Sequence, residues 1–308
     1  MRGCLTPENG LFSQLPPYPV RKILPSLLEQ SVEKRKFVVV SPPGSGKTTL
    51  IPLALLHAPW IGSQKVLIQE PRRLATKMVA HRLASLLGEK PGESVGWRMR
   101  GESLVSPKTK IEVVTDGVLL RMLRDDPSLE GYGALILDEY HERSLYGDLA
   151  LMLSAESQLT LREELRLFAL SATPDLQALQ NCLGEYSLLQ VDGTLHPVSI
   201  HYRAEDPRLS IEENAVRATL HILENRSGDI LLFLPGVPEV RRFLERIEDR
   251  VSAEVELHPL YGDLSIAQQQ LAILPSPTGK RKIVIATSIA ESSLTIEGIT
   301  TVIDSGWE

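Results

Sequence analysis

The sequence predicts an α/β fold in two successive domains, each a parallel sheet flanked by helices, with the second domain incomplete. Three observations predict it. Short apolar runs recur without polar alternation, the pattern of strands buried on both faces. Helical stretches separate them, and strand–helix alternation builds doubly wound sheets. The alternation falters around Leu188–Pro197 and then restarts.

The first set of strands is expected at Phe37–Val40, Lys65–Gln69, Ile111–Thr115, Ala134–Leu137 and Leu167–Leu170, runs rich in Val, Ile, Leu and Phe. Helices are expected at Lys47–His57, Leu74–Leu87, Gly117–Arg124 and Leu145–Ser157. The second set of strands is expected at Ile200–Arg203, Ile230–Leu234, Val255–Leu257, Ile283–Ala286 and Thr301–Asp304, with helices at Glu212–Glu224, Pro238–Arg250 and Ile266–Leu274. Pro16–Pro17 closes a loosely ordered lead-in, and Pro275–Gly279 reads as an exposed loop. The resulting division is a lead-in over 1–17, a first domain over 18–192 and a second over 193–308.

Length and composition agree: 308 residues hold about two domains of roughly 150 residues. With 43% hydrophobic and 23% charged residues, wholesale disorder, collagen and coiled coil are excluded. No apolar run approaches the roughly 18 residues of a membrane helix, and no signal peptide follows Arg2. Cys4 and Cys182 cannot build a disulfide or zinc framework, so a reduced cytoplasmic setting is expected. The net charge of −6 disfavours coating of nucleic acid by bulk charge. It hides an asymmetry, because Lys65–Lys110 alone carries +6. That segment reads either as a local anion-binding surface or as the solvated basic face of a helix.

The most informative stretch is Ser41-Pro42-Pro43-Gly44-Ser45-Gly46-Lys47-Thr48-Thr49, which follows a buried strand and opens a helix. Glycines there let backbone N–H groups turn toward phosphates, and the helix N-terminus favours their charge. Lys47 is expected to reach the β- and γ-phosphates of ATP, and Thr48 to place its hydroxyl on Mg²⁺. The general pattern begins with Gly, and this chain has Ser41. Asp138-Glu139 ends a strand, where an acid faces the ligand crevice of an open α/β sheet. Asp138 suits Mg²⁺ and Glu139 suits activation of water. The competing reading is a helix N-cap with a dipole partner.

The segment Asp138-Glu139-Tyr140-His141-Glu142-Arg143-Ser144 resembles motif II of the DExH helicases of superfamily 2, DEAH branch. Other motifs follow in that family's order. Gln69–Ala75 (QEPRRLA) resembles motif Ia, Thr115–Leu119 (TDGVL) motif Ib, Ser171-Ala172-Thr173 motif III, Ile230–Gly236 (ILLFLPG) motif IV and Thr287–Ile296 (TSIAESSLTI) motif V. Pro259–Gly262 (PLYG) also fits, and the wording is nearest the bacterial HrpB-type branch. A P-loop kinase would leave motifs Ia to V unexplained.

The resemblance implies two RecA-like domains of the P-loop NTPase class, ATP and Mg²⁺ as cofactors, and single-stranded nucleic acid as partner, RNA in preference to DNA. It implies no membrane and says nothing of oligomeric state. Pro43, Gly44, Ser45, Gly46, Lys47, Thr48 and Thr49 bind the nucleotide in this picture, and Thr48 and Asp138 the metal. Glu139 activates water, His141 links the phosphate site to the neighbouring domain, and Ser171 and Thr173 couple nucleotide state to movement. Arg82 and Trp307 match the family's adenine sandwich, Trp307 being otherwise a packing residue. Arg72, Arg73, Arg98, Arg100, Thr115, Asp116, Gly117 and Thr287 would line a track gripping sugar and phosphate, which is sequence-tolerant and salt-sensitive.

The chain departs from the family in two further places. It contains no QRxGRxGR motif VI, and the usual GRTxPV reads Gly193-Thr194-Leu195-His196-Pro197-Val198. Motif VI arginines reach the γ-phosphate, and such contacts are worth about 10³–10⁵ in rate elsewhere. The parent protein is therefore expected to be an ATP-dependent helicase, and these 308 residues to bind nucleotide but hydrolyse it poorly. The alternative is a non-catalytic, nucleotide-gated RNA-binding module.

Overall fold

A computed structural model describes residues 16–192, 197–204, 206–291 and 296–307. The chain divides into two compact units, Met1–His196 and Pro197–Glu308. Most of the expected lead-in, the linker residues 193–196, residues 292–295 of the TSIAESSLTI stretch and Glu308 lie outside the described residues.

Unit 1 begins with a 3-10 turn at Pro19–Ile23 and helix α1, Leu24–Glu33. Pro25 suggests a breaker, but a proline in the first helical turn loses no hydrogen bond. Eight strands follow: β1 (Lys36–Val40), β2 (Lys65–Glu70), β3 (Val95–Met99), β4 (Glu102–Leu104), β5 (Ile111–Thr115), β6 (Tyr132–Leu137), β7 (Arg166–Ser171) and β8 (Ser187–Gln190). They form one sheet in the order β4-β3-β5-β2-β6-β7-β1-β8. Only the edge pair β3–β4 is antiparallel. Helices α2 (Lys47–Leu55), α3 (Arg73–Leu86), α4 (Asp116–Asp125), α5 (Leu145–Thr160) and α6 (Leu176–Leu183) connect the strands.

Each face of this sheet has its own core. One gathers Leu27, Phe37, Leu50, Leu83 and Phe168, with the two phenylalanine rings stacked at 4.8 Å. The other gathers Leu119, Leu135, Leu151, Leu167 and Leu179. Burial on both faces is why β6 and β7 read as unbroken apolar runs. The β3–β4 hairpin escaped the sequence reading because all three residues of β4 are exposed and leave no apolar signature.

Unit 2 contains α7 (Ile211–Asn225), β9 (Asp229–Phe233), α8 (Val237–Ile247), β10 (Val255–Leu260), α9 (Ile266–Ile273), β11 (Arg281–Ala286) and β12 (Ile299–Asp304). Its sheet runs β10-β11-β9-β12, all parallel, over a core of Val216, Ile230, Leu232, Phe243, Ile283 and Ile285. Two expectations need correction. The helix expected to run to Arg250 is α-helical only to Ile247 and closes in a 3-10 turn, Glu248–Arg250. The strand expected at Ile200–Arg203 is irregular chain. Val198, Ile200 and Tyr202 are 83%, 72% and 97% exposed. Their alternation suits a strand, but a strand needs a hydrogen-bonding neighbour, and among the described residues none pairs with it. Among the described residues no helix is long and apolar enough to cross a membrane.

The parallel order sets up the site. Strands β1, β2, β5, β6 and β7 end at one edge of unit 1, where their carboxyl ends carry Ser41, Glu70, Thr115, Asp138 and Ser171. Ligands of open α/β sheets bind at such an edge.

Candidate nucleotide and nucleic-acid site

Between β1 and α2 the chain must turn tightly, and Gly44 (φ 72°) and Gly46 (φ 83°) do so in the left-handed region. Gly46 is the N-cap of α2, so the Lys47 and Thr48 N–H groups open that helix toward a ligand, while the Thr49 N–H donates to the Gly46 carbonyl at 3.2 Å. The loop is tied at its base. The Ser41 N–H donates to the Ser171 carbonyl at 3.1 Å, and the Ser45 hydroxyl donates to Ser41 Oγ at 2.8 Å. Ser41, the departure from the glycine pattern, thus serves as an internal brace. Pro43 and Gly44 are exposed, Thr48 and Thr49 half-buried, and Lys47 is buried.

Lys47 points at the strand-end acids: its Nζ lies 3.2 Å from Glu139 Oε1. Glu139 has a left-handed backbone, φ 49°, costly for a non-glycine residue and frequent at functional sites. Its N–H donates to Asp138 Oδ1 at 2.8 Å, while the Asp138 N–H donates to the Gln69 carbonyl at 3.1 Å. His141 Nε2 lies 3.3 Å from Glu139 Oε2, and His141 Nδ1 accepts from the Ala172 N–H at 3.4 Å. With Nδ1 accepting, the ring proton sits on Nε2 and is donated to Glu139. One continuous chain therefore links Lys47, Glu139, His141 and the Ser171–Thr173 segment. Ser171 is buried and Thr173 exposed.

Glu70 completes the cluster, and sequence reasoning gave it no role. It is 1% exposed at the end of β2. Burial first, then the Asp138 charge and a side-chain hydrogen bond with Asp138, then the Glu139 charge, push its carboxyl well above the usual range against the pull of Lys47, so that the Asp138 carboxylate meets chiefly other acids. Glu139 is also raised, by burial and then Asp138, with Lys47 and His141 pulling back. The signal in the sequence was an acid closing a strand beside the Asp138 strand. Asp138 is 1% exposed, and its Oδ2 is buried with no hydrogen-bond partner among the described residues. A buried, unpaired carboxylate oxygen amid acids suits a cation. The fit is to a hard, oxygen-seeking cation such as Mg²⁺, which takes one or two carboxylates and fills its other positions with waters and phosphate oxygens.

The basic-segment residues divide by orientation. Arg73 is exposed and its Nη1 donates to the Arg100 carbonyl at 3.0 Å, setting two arginines side by side at the β3–β4 turn. Arg72 lies 3.4 Å from Glu142. Arg98 instead pairs through Nε with fully buried Glu112, whose Oε2 accepts from the Tyr132 hydroxyl at 3.0 Å. Asp116 is 6% exposed, and its carboxylate accepts from Gln69 Nε2 and, at 2.8 Å, from the Ser144 hydroxyl. Thr115 is the N-cap of α4, and Gly117 lies exposed in its first turn. Arg82 lies on α3, where its Nη2 donates to the Tyr18 hydroxyl at 2.8 Å. Thr287 and Trp307 belong to unit 2; Thr287 caps a 3-10 turn, Ser288–Ala290, and Trp307 is 55% exposed.

A glycine-turned loop tied to a serine–alanine–threonine strand end, beside an aspartate–glutamate pair with a histidine behind it, at the carboxyl edge of a parallel sheet, defines a RecA-like α/β domain of the P-loop class. The chain is a member of the DEAD/DEAH box helicase family, whose profile matches residues 21–182; the helicase conserved C-terminal domain matches residues 214–307. Both units are accordingly RecA-like helicase domains. Among curated proteins the chain is 47% identical over 290 residues to the ATP-dependent RNA helicase HrpB of Escherichia coli K12, covering 94% of this chain and 36% of that protein. It is 34% identical over 294 residues to the ATP-dependent RNA helicase HrpA of Borreliella burgdorferi, covering 94% of this chain and 35% of that protein. Among solved structures, a crystal structure of Escherichia coli DEAH/RHA helicase HrpB matches with a TM-score of 0.86 at 47% identity, over 93% of this chain and 36% of that one. A crystal structure of E. coli DExH-box NTPase HrpB matches with a TM-score of 0.76, over 94% and 36%. The chain spans about a third of the length of these relatives.

Proposed function

We propose that these residues form the ATP-binding motor of a helicase that couples hydrolysis to movement along single-stranded RNA. The observation that carries this reading is the chain from Lys47 through Glu139 and His141 to Ala172. It joins the group that would hold the γ-phosphate to the segment that would report its loss. RNA is preferred to DNA because the relatives are named RNA helicases. A cytoplasmic location suits that substrate.

In this reading Pro43 to Thr49 cradle the phosphates, with the N–H groups of Gly44, Gly46, Lys47 and Thr48 turned to the ligand and those of Ser45 and Thr49 bracing the loop on the Pro42 and Gly46 carbonyls, and Lys47 leaves Glu139 for the γ-phosphate. Glu139, freed of its cation, orients water and accepts its proton. Its raised pKa makes it a stronger base than an exposed glutamate. His141 holds that carboxylate by its Nε2 proton. Thr48 and Asp138 would hold Mg²⁺, which when bound neutralises phosphate charge. Arg82 and Trp307 would stack on the adenine. Arg72, Arg73, Arg100, Thr115, Gly117 and Thr287 would follow the RNA backbone. Arg98, half-exposed and anchored through Nε to Glu112, would join that track, and buried Asp116 would act behind it.

The 308 residues contain no QRxGRxGR string, so on their own they would bind ATP and turn it over slowly. A steady-state ATPase assay with and without single-stranded RNA tests this. Strong RNA-stimulated turnover by this chain would overturn the slow-turnover statement. Loss of ATP binding in Lys47→Ala, and its survival in Glu139→Gln, would support the assigned site.

A further inference from the structure

Tyr18 opens the expected first domain, at the N-cap of the Pro19–Ile23 turn within unit 1, and touches the candidate nucleotide site in two ways. Its ring lies against the Cα of Gly46: a β-carbon built on that glycine would sit 2.6 Å from Tyr18 Cβ and Cδ2. Its hydroxyl accepts a hydrogen bond from Arg82 Nη2 at 2.8 Å. The residue itself is anchored. Two positions on, the Val20 N–H donates to the Ser45 carbonyl at 3.0 Å, and the Val20 side chain is fully buried. Tyr18 thus bridges the phosphate loop, on one side, and the arginine placed for the base, on the other.

We propose that Tyr18 is the positioning residue that joins the two halves of the nucleotide site, its ring bracing the phosphate loop and its hydroxyl aiming Arg82 at the nucleobase. This rests on the nucleotide reading of Gly44–Thr49 and Arg82 given above. The physical basis is preorganisation. An exposed arginine on a helix samples many rotamers, and fixing one of them before binding removes an entropy cost from the ligand's affinity. The Arg82 guanidinium is planar, so fixing one donor also fixes the face offered for stacking. The ring acts separately. Gly46 sits in the left-handed region, and an aromatic face on its Cα opposes collapse of the loop toward the Tyr18 side. The two contacts therefore predict separable effects on base and on phosphates.

The experiment uses the full 308-residue chain, a fluorescent ATP analogue displaced by ATP, and inorganic tripolyphosphate as a competitor without a base. Tyr18→Phe keeps the ring and removes the hydroxyl. It is expected to weaken ATP about fivefold while leaving tripolyphosphate within about twofold, the loss of one hydrogen bond's worth of positioning. Arg82→Ala is expected to weaken ATP similarly, and adding Tyr18→Phe to it to change nothing further. Tyr18→Ala is expected to weaken both ligands. Retained tripolyphosphate binding in Tyr18→Phe doubles as the control for folding. The proposal is overturned if Tyr18→Phe binds ATP as the parent does, if it loses both ligands equally, or if its effect adds to that of Arg82→Ala. If the parent chain binds neither ATP nor tripolyphosphate, the nucleotide reading itself fails and this inference with it.

Discussion

Lys47 and Glu139 form a largely buried ion pair inside the phosphate cradle, Nζ to Oε1 3.2 Å, with side chains 5% and 15% exposed. The lysine proposed for phosphate is thus held by the carboxylate proposed for water, and on that reading the two tasks compete for one cation. Glu139→Gln removes the competition and a nearby negative charge. It is expected to bind ATP about three- to tenfold more tightly than the parent, the range of one charge-assisted contact partly offset by solvation. Isothermal titration with ATP and Mg²⁺ measures it; unchanged or weaker binding would show that the pair does not restrain Lys47.

Glu70 gives a pH signature of defined sign. Its folded pKa lies well above its ordinary value of 4.5, so the folded state holds a proton that the unfolded chain releases earlier. That contribution is fully present below pH 4.5 and is lost as pH rises through the folded pKa. At neutral pH the buried carboxyl therefore costs stability. Glu70→Gln is expected to melt at a higher temperature than the parent at pH 7.5, with the difference shrinking toward pH 4.5. Thermal unfolding across that range checks it; a constant difference would remove the titration argument.

Arg98 and Arg100 sit two residues apart and are expected to behave oppositely. Arg98 pairs with fully buried Glu112, so Arg98→Ala leaves a buried carboxylate without its cation. A cost of about 2–3 kcal/mol in unfolding free energy is expected. Arg100 is exposed at the hairpin turn. Arg100→Ala is expected to leave unfolding unchanged, to weaken single-stranded RNA binding and to lower its salt slope by about 0.7. Denaturant titration and RNA binding at several salt concentrations separate them, and an unstable Arg100→Ala would contradict this division.

In unit 2, Glu212 is buried at the start of α7, within reach of Arg242 and Arg246. Burial alone would raise its carboxyl, but Ser210 and Arg242 outweigh it and hold the pKa down to about 2. A depressed folded pKa gives stability that is present above the ordinary 4.5 and lost as pH falls toward 2. Glu212→Gln is expected to cost about 1–2 kcal/mol at pH 7, discounted because Arg242 is half-exposed, and to cost nothing near pH 2. Urea unfolding at both pH values tests it.

The strands buried on both faces were legible because burial writes itself as an unbroken apolar run, as in Ala134–Leu137. The phosphate loop was legible because only glycine enters the left-handed region freely, and Gly44 and Gly46 both do. What was hidden depends on neighbours distant in sequence. Asp116 reads as part of a nucleic-acid track, yet its two oxygens are taken by Gln69 and Ser144, which no local pattern announces. Arg98 is anchored at its Nε by Glu112, from a strand that becomes its neighbour only in the folded sheet, while its side chain stays half-exposed. Tyr18 follows Pro16–Pro17 at the first residue expected of the first domain, and its contacts appear only once Gly46 and Arg82 converge on it. Ile200–Arg203 has the alternation of a strand without, among the described residues, the partner that makes one.

The position of β1 in its sheet also bears on how the chain is made. Lys36 pairs with Leu167 and Phe37 with Ser187, so both neighbours of the strand that launches the phosphate loop come far later in the sequence. A ribosome that has finished the loop has made neither of them. Until about Gln190 has left the exit tunnel, β1 presents two open edges of apolar strand, the kind of segment that nascent chains aggregate through and that chaperones cover. Synthesis beyond that point, and not the loop's own glycines, sets the earliest moment at which β1 and the loop it launches can be held between their strand neighbours.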